Sequence, residues 1–553
     1  MKLVVVGGVA GGMSAAARFR RLNEDAEIIV LERGGEVSFA NCGLPYYVSG
    51  EIQDRAKLLV ETPESLERVL NIDVRVHNEA IGLDAANKTL IVKSVEGEYE
   101  LTYDALILSP GAKAIRPDIP GIQSPRVTTL RTVSDAIQLG DAVGTAKRAV
   151  VLGAGFIGLE AAEGLAMRGV KTSIVELAPH VLPPLENEMA QLVRDELVRH
   201  ALDVYDGLSA DAIELGNSAD TVVLSDGTRI EADIIVLSVG VRPDTAIWQE
   251  AGIECERGAI VVDEYGQTNL DGVYAAGDAT VSVDKVTGAR RPVALAGPAN
   301  RNGRLLADVI SGRRTRRIAP TAGTSIVRVG ELTAAMTGAN RRSLDEAGID
   351  YDTVHLHPQD HAGYFPGATA IHLLVHFGKD GKILGAQAVG EKGVDKRIDV
   401  IATALKGDMT VEDLIDLDLS YSPPYGSAKD PVNMAGMMAL NVLDGTHKTW
   451  QATQIDDMME SALLLDVRSS EEFASGHLSG AMNIRHYELR HRLDEVREAA
   501  NGRLVAVHCQ SGPRSYQAHR VMAQAGIESV NLSGGLLTFR AALGDKADDY
   551  IVS

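Results

Sequence analysis

The sequence predicts an α/β protein made of several separately cored units, and three observations predict it. A pattern of apolar strand, glycine turn, Ala-rich helix, second strand and acid occurs twice, at residues 2–32 and 149–176. From about residue 320 the pattern changes to alternating apolar and polar strands with amphipathic helices between them. After about residue 456, strands and helices alternate again in a small terminal α/β unit. Because cores rarely grow past about 250 to 300 residues before splitting, 553 residues imply three or four units.

The first element is the all-apolar run Leu3 to Val6, suited to a parallel strand covered on both faces. The turn GGVAGG follows, with Gly7, Gly8, Gly11 and Gly12 around Val9 and Ala10. A helix through about Arg21 and the strand EIIVLE, ending at Glu32, complete the pattern. The second copy has AVVL, then Gly153, Gly155 and Gly158 in GAGFIG, then TSIVE ending at Glu176. Such glycines let backbone N–H groups approach a pyrophosphate at a helix N-terminus, and the acid accepts from a ribose hydroxyl. Two dinucleotide sites are therefore expected. In the first turn Val9 occupies the middle glycine position, and phosphate approach is expected to be less close there. Glu176 should repel a 2'-phosphate and so favour NADH over NADPH.

Strand-rich returns to each sheet are expected at 103–112 and 232–243. The stretch 268–280 reads as a strand ending in Gly277-Asp278, with the carboxylate beside a turn that opens a helix. A helix is expected over about Gly297 to Ile310. The segment 446–456 lacks periodicity and reads as a linker.

Lys plus Arg total 54 against 76 for Asp plus Glu, a net charge of -22. That opposes non-specific attraction to nucleic acid or anionic lipid, so the expected partners are small molecules. An anionic substrate needs a local basic pocket, which Arg18, Arg20 and Arg21 could supply; the alternative is a solvated helix face. Three cysteines, Cys42, Cys255 and Cys509, lie far apart with no metal-ligand or paired redox spacing, so neither a metal site nor a disulfide framework is expected. With no signal peptide and no run of about 18 apolar residues, a reducing, cytoplasmic location is the expectation.

Cys42 stands in SFANCGLPYY, ten residues after Glu32. Ser38, Asn41 and the Gly43 turn argue for an accessible thiol near a helix N-terminus, where its pKa would fall; a buried inert cysteine is the alternative. Cys255, in AGIECERG, has no such setting and reads as structural. Cys509 begins CQSGPRS, a loop whose N–H groups should converge on sulfur, with Arg514 adding a fixed positive charge.

Two glycine units followed by the Gly277-Asp278 turn resemble the two-dinucleotide flavoprotein reductases of the glutathione-reductase superfold. The resemblance implies FAD at the first site, with Asp278 at the FAD ribityl or phosphate region, and NADH at the second. The run SFANCGLPY resembles the single-cysteine branch, which includes coenzyme A disulfide reductases, NADH oxidases and NADH peroxidases. There the cysteine lies beside the flavin and cycles through a mixed disulfide with coenzyme A, a persulfide or a sulfenic acid. Ala10 stands where the peroxidases have a histidine, which lowers the peroxide reading. Tyr364, in HAGYFPG, and Tyr421, in LSYSPPYG, match tyrosines that coenzyme A disulfide reductases supply from the partner's dimerisation domain. A phenol there could protonate a leaving thiolate. Tyr425 is the weaker candidate, since rigid proline turns often carry aromatics for packing. The run from Ala296 to Arg304 resembles the helix start below the flavin. LLLDVRSSEEF, GHLSGAMNI and CQSGPRS together resemble a single-domain rhodanese.

The fold implied is α/β: two Rossmann-like dinucleotide-binding domains, an α+β dimerisation domain and a C-terminal α/β rhodanese domain. The expected boundaries are 1–112 with 246–318 for FAD, 113–245 for NADH, 319–445 for dimerisation, 446–456 for the linker and 457–553 for the rhodanese. The implied activity is NADH-dependent reduction of CoA disulfide, CoA persulfide or polysulfide through Cys42 in a homodimer, with Cys509 carrying sulfane sulfur. Two alternatives stay open: an NADH oxidase or peroxidase, and a redox-sensing flavoprotein that turns over poorly.

Overall fold

The structure is a computed structural model of the chain and describes residues 1–313 and 316–552. The chain divides into two compact units, Met1–Pro179 with Ala201–Gly323, and His180–His200 with Thr324–Ser553. Among the described residues no helix is long and apolar enough to cross a membrane.

The first unit holds two five-stranded parallel sheets. One runs in the order Val273–Ala275, Ala105–Leu108, Lys2–Val6, Glu27–Glu32, Asp73–Val76. The other runs Asp203–Asp206, Lys171–Glu176, Arg148–Leu152, Ile234–Leu237, Val127–Thr128. In each, the strand before the glycine turn has its successor on one side and a later return on the other. Strand order therefore reverses at the carboxyl end of that strand, which is where open α/β sheets hold ligands.

The apolar runs are explained by cover on both faces. Leu3 and Val5 pack with Phe19 of the Ala10–Arg20 helix and with Leu305, Leu306 and Val309 of the Ala296–Ile310 helix. Val4 and Val6 face the other way, against Leu90, Val92 and Leu101 of the antiparallel sheet Glu79–Asp84, Thr89–Ser94, Gly97–Thr102. The second parallel sheet has an equivalent cover, in which Val150 and Leu152 meet Ile213, Val222 and Leu224.

The second unit begins with an antiparallel sheet in the order Ser325–Val329, Leu332–Gly338, Ile383–Gly390, Ile371–Phe377, Asp352–Leu356. Its terminal part is a five-stranded parallel sheet: Thr449–Trp450, Ser529–Leu532, Leu504–His508, Ala462–Asp466, Met482–Asn483. Here the structure departs from the linker expected over 446–456. Thr449–Trp450 pairs with Asn531 and Leu532, and Trp450 is buried among Leu464, Leu532 and Phe539. A strand of two residues is too short to show periodicity, so burial of one large ring decides its place.

Two histidines of this unit are held neutral. Burial pushes His357 down to about 3 and His447 down to about 4 from the ordinary 6.5. The unfolded chain binds protons below about 6.5 whereas these folded histidines do not, so stability is full above that pH and falls toward the folded values. The thermal unfolding midpoint of the second unit is expected to drop steadily as pH is lowered from about 6.5 to about 4. The slope should be roughly 1 kcal/mol per pH unit for each histidine. A flat midpoint over that interval in a calorimetric series would contradict the assignment.

Candidate functional site

Both glycine turns are built the same way. Gly7 has φ +96 and Gly153 φ +99, and a Cβ there would collide with the carbonyl oxygen of Ser109 or Ser238 respectively. Five residues on, a Cβ at Gly12 or Gly158 would strike the carbonyl of Gly7 or Gly153. At Gly8 and Gly11 a Cβ would lie 2.7 Å from Val37 Cγ2 and Ser109 Oγ. Val9 and Gly155 are the N-caps of the helices Ala10–Arg20 and Phe156–Met167, and neither helix has a side-chain cap. Their first N–H groups are thus left for an anion. Around Gly155 a Cβ would meet nothing within 4 Å, so that turn opens onto free space.

The two acids brace these turns. Glu32 accepts from the N–H of Gly8 at 2.9 Å and of Gly34 at 2.8 Å. Glu176 accepts from Ala154 at 2.6 Å and Ala178 at 2.8 Å. Each carboxylate has about four acceptor sites, so capacity for a ribose hydroxyl remains. Together the cradles, bare N–H groups and acids fit two dinucleotides.

Gly277, with φ +90, opens a turn closed by Thr280 N–H donating to Gly277 O at 3.0 Å. The chain then enters the strand Val281–Val283, so the turn beside Asp278 opens a strand and not the helix expected from the sequence. The turn is closed by backbone, and the next helix starts only at Ala296. Asp278 lies 3.9 Å from Arg131 Nη2; burial pushes its carboxyl up, and Arg131 opposes the push. The Ala296–Ile310 helix also lacks a side-chain cap at its start and packs so closely on the first helix that a Cβ at Gly303 would hit Gly11 O.

The cysteine segment is tied to the first turn. Ser38 has φ +49, an uncommon conformation for a non-glycine residue, and its N–H donates to Gly8 O at 2.7 Å. Asn41–Gly43 forms one 3₁₀ turn, followed by the short helix Leu44–Val48 whose Leu44, Pro45 and Val48 are buried. Cys42, the middle residue of that 3₁₀ turn, is exposed, as expected. Its pKa differs from expectation. Protein mass behind the sulfur pushes the thiol up, the Glu160 and Asp278 carboxylates add to that, and Arg131 opposes them. A five-residue helix has little dipole to offer, so partial desolvation and two acids win.

The expected basic pocket is not formed by its central member. Arg20 is buried, and its guanidinium donates to the carbonyls of Leu70, Asn23, Glu24 and Asn71. Arg18 pairs with Asp308 at 2.8 Å, and Arg21 is exposed. Aromatic and apolar packing of Phe19 turns this face of the helix inward, which the Arg spacing did not reveal. Sequence reasoning missed Arg131 and Glu160. Glu160 follows the second glycine turn by two residues and accepts from Tyr46 OH at 3.1 Å, so position in the motif could have found it; Arg131 carries no local signal.

In the second unit Tyr364 and Tyr421 come together, their phenols 3.2 Å apart, and this bond raises the Tyr364 pKa. Ala362 N–H donates to Gly426 O at 2.9 Å, joining their two loops. Buried Arg397 donates to Asp360 O at 2.7 Å and to Asp430 at 2.9 Å, bracing the same loops. Tyr425 is 74% exposed, which is no packing role within this chain.

The strand Leu504–His508 delivers Cys509, which is fully buried. Its sulfur accepts from Gly512 N–H and from Ser515 Oγ–H, both at 3.2 Å. One backbone N–H and one hydroxyl thus replace the several N–H groups expected; Pro513 has no N–H to give. Arg514 has its charge fixed in place by an ion pair. It grips Glu472 at 2.6 and 2.7 Å and holds that carboxyl down to about 2. Buried Arg468 donates to Asp466 and to Gly476 O, both at 2.7 Å, and so links two of the terminal sequence segments. Cys255 is partly buried in the strand Cys255–Glu256, and burial pushes its thiol up.

Comparison with known proteins agrees with this anatomy. The pyridine nucleotide-disulphide oxidoreductase pattern matches residues 1–294, its dimerisation domain residues 324–431, and the rhodanese-like domain residues 451–542. The chain is 34% identical to coenzyme A disulfide reductase of Staphylococcus haemolyticus over 444 residues, 79% of this chain and 99% of that one. Reduced Bacillus anthracis CoADR-RHD is 43% identical with a TM-score of 0.97, covering 100% of this chain and 99% of that one. The NAD-dependent persulfide reductase of A. fulgidus is 35% identical with a TM-score of 0.91, covering 98% and 100%. With its paired glycine turns, lone exposed thiol and terminal sulfur loop, this chain belongs to the pyridine nucleotide-disulphide oxidoreductase family and carries that family's dimerisation domain and a rhodanese-like domain.

Proposed function

We propose that this protein is an NADH-dependent flavoprotein that reduces CoA disulfide, CoA persulfide or polysulfide at Cys42 and carries sulfane sulfur on Cys509. The observation behind it is a pair of unlike thiols. Cys42 is exposed and tied through Ser38 to the first glycine turn, whereas Cys509 is enclosed with two donors aimed at its sulfur.

FAD bound at the first glycine turn would supply the relay of an electron pair from NADH to sulfur. Gly7, Gly8, Gly11, Gly12 and Glu32 would hold it, together with Asp278 and the Ala296 helix start. Gly153, Gly155, Gly158 and Glu176 hold NADH, and the Glu176 carboxylate disfavours NADPH. The Cys42 thiolate attacks one sulfur of CoA disulfide, forming a mixed disulfide and releasing one CoA thiolate. The electron pair then cleaves that mixed disulfide, so one NADH and one proton yield NAD⁺ and two CoA thiols. With CoA persulfide the products are one thiol and hydrogen sulfide.

Ser38 and Asn41 shape the approach to Cys42. In a homodimer, Tyr364 and Tyr421 protonate the leaving thiolate, with Tyr425 beside them at the substrate. Arg514, through its contact with the Cys509 sulfur, stabilises thiolate and persulfide there. Working thiols of this kind suit a cytoplasmic, reducing setting.

Cys509→Ser is expected to leave anaerobic NADH oxidation with CoA disulfide within about twofold of the parent. Sulfur transfer from thiosulfate or polysulfide should fall by at least about a hundredfold. Full transfer activity in that variant would remove Cys509 as the carrier. Oxygen or peroxide consumption faster than CoA disulfide turnover would move the assignment to an NADH oxidase or peroxidase.

A further inference from the structure

The turn Ser533–Gly534–Gly535 is gripped from two sides. On one side is the antiparallel sheet of the second unit. His355, in the strand Asp352–Leu356, has Nδ1 2.8 Å from Ser533 Oγ and Nε2 2.7 Å from Glu188, which Arg341 holds in turn. His357, just past that strand, has Nε2 3.1 Å from Gly534 O and 2.9 Å from Thr538 Oγ1. A Cβ added at Gly534, which has φ +70, would run into Thr538 Oγ1 and stand 2.9 Å from the His355 Cβ.

The other side of the turn is the sulfur loop. A Cβ at Gly535 would lie 2.6 Å from Cys509 O and 2.7 Å from Ser511 N. Leu536 N–H donates to Cys509 O at 2.9 Å and Leu537 N–H to Gln510 O at 3.0 Å. Adjacent glycines thus face different neighbours, one Thr538 and His355 and the other the cysteine loop. No side chain could fit on either face, so the turn acts as a thin rigid spacer.

Proton placement in this contact is determined by the bonds. Gly534 O can only accept, so His357 Nε2 carries the hydrogen. Its Nδ1 then accepts from His372 Nδ1–H at 2.8 Å. A neutral His357, as its burial requires, is the form that fits.

From this we infer that His357 and His355 are positioning residues for sulfur transfer at Cys509, acting through the Ser533–Gly534–Gly535 turn. Neither touches the sulfur. They fix the backbone that fixes Cys509 O and Gln510 O, and hence the loop in which Gly512 N–H and Ser515 Oγ–H meet Sγ. The inference rests on the reading of Cys509 as sulfur carrier, and it gives the fusion a physical purpose: the terminal loop is completed by the sheet that precedes it.

The test uses full-length holoenzyme with His357→Gln, His357→Leu and, from the opposite side of the contact, Thr538→Val. Gln keeps an N–H near the position of Nε2; Leu keeps bulk only. Two readouts serve: the pH profile of Cys509 alkylation by iodoacetamide, followed on its peptide by mass spectrometry, and sulfur transfer from thiosulfate to cyanide. H357L is expected to lower the transfer kcat about tenfold with thiosulfate KM unchanged, the worth of about one buried hydrogen bond. It should also shift the alkylation midpoint, while H357Q restores most of both and T538V falls between.

NADH oxidation with CoA disulfide should stay within about twofold in all three. Parental alkylation and transfer in H357L, or equal loss in the Leu and Gln variants, would overturn the inference. If Cys509→Ser keeps full transfer, or the parent transfers none, the carrier reading itself is what fails.

Discussion

Cys42→Ser is expected to keep bound flavin and to lose NADH oxidation with CoA disulfide by at least about a thousandfold. The electron pair must end on a sulfur that can both attack a disulfide and leave from one, and a serine hydroxyl does neither at neutral pH. Cys42 is the exposed member of the three cysteines, since Cys255 is partly buried and Cys509 fully so. No neighbouring thiol stands in for it within its segment. Because burial, then Glu160 and Asp278, push its thiol up against Arg131, the parent's initial alkylation at Cys42 should be slower at a given neutral pH than that of a free thiol. Arg131→Gln should slow it further at a given pH, because the opposing positive charge is gone. Turnover unchanged in Cys42→Ser would falsify the redox assignment outright.

Gly7→Ala is expected to give protein with at least about tenfold less flavin per chain. Two costs coincide at that position. The backbone has φ +96, where an L side chain is strained, and the Cβ would run into Ser109 O. Together they amount to roughly 2 to 4 kcal/mol, enough to spread the turn and move the N–H groups of the following helix off a pyrophosphate. Gly155→Ala supplies the contrast. There φ is -74 and a Cβ meets nothing within 4 Å, so the fold should tolerate it. The added methyl would stand in the open space of the second turn, and KM for NADH should rise about tenfold with flavin unchanged. Released flavin measured per chain separates the two results; full flavin in Gly7→Ala would disprove the placement.

Much of the candidate site was readable in the sequence because its parts are local. A glycine five residues after another, a helix starting between them and an acid closing the next strand are all properties of one short stretch. So Gly7 and Gly12, Gly153 and Gly158, and Glu32 and Glu176 could be named from spacing alone, and the structure places each in the turn or at the strand end expected. The accessibility of Cys42 was likewise signalled by its polar neighbours. What spacing could not tell was where each charge spends itself. Arg20 could have been an anion ligand or part of a solvated face, and is instead consumed by four backbone carbonyls. The turn at Asp278 was expected to open a helix and leads to a strand instead.

By itself the sequence determined the α/β class, two nucleotide turns, a lone N-terminal thiol and a terminal sulfur loop, since each is carried by a few consecutive residues. Only the tertiary structure decided the direction of the Cys42 pKa, which burial pushes up first and Glu160 and Asp278 push further, against Arg131. It alone also joined His355 and His357 to the turn beneath Cys509, and drew Trp450 into the terminal sheet. The physical reason is range: a turn is dictated by torsion angles close along the chain, whereas a charge or a buried ring takes its meaning from whatever long-range packing brings beside it.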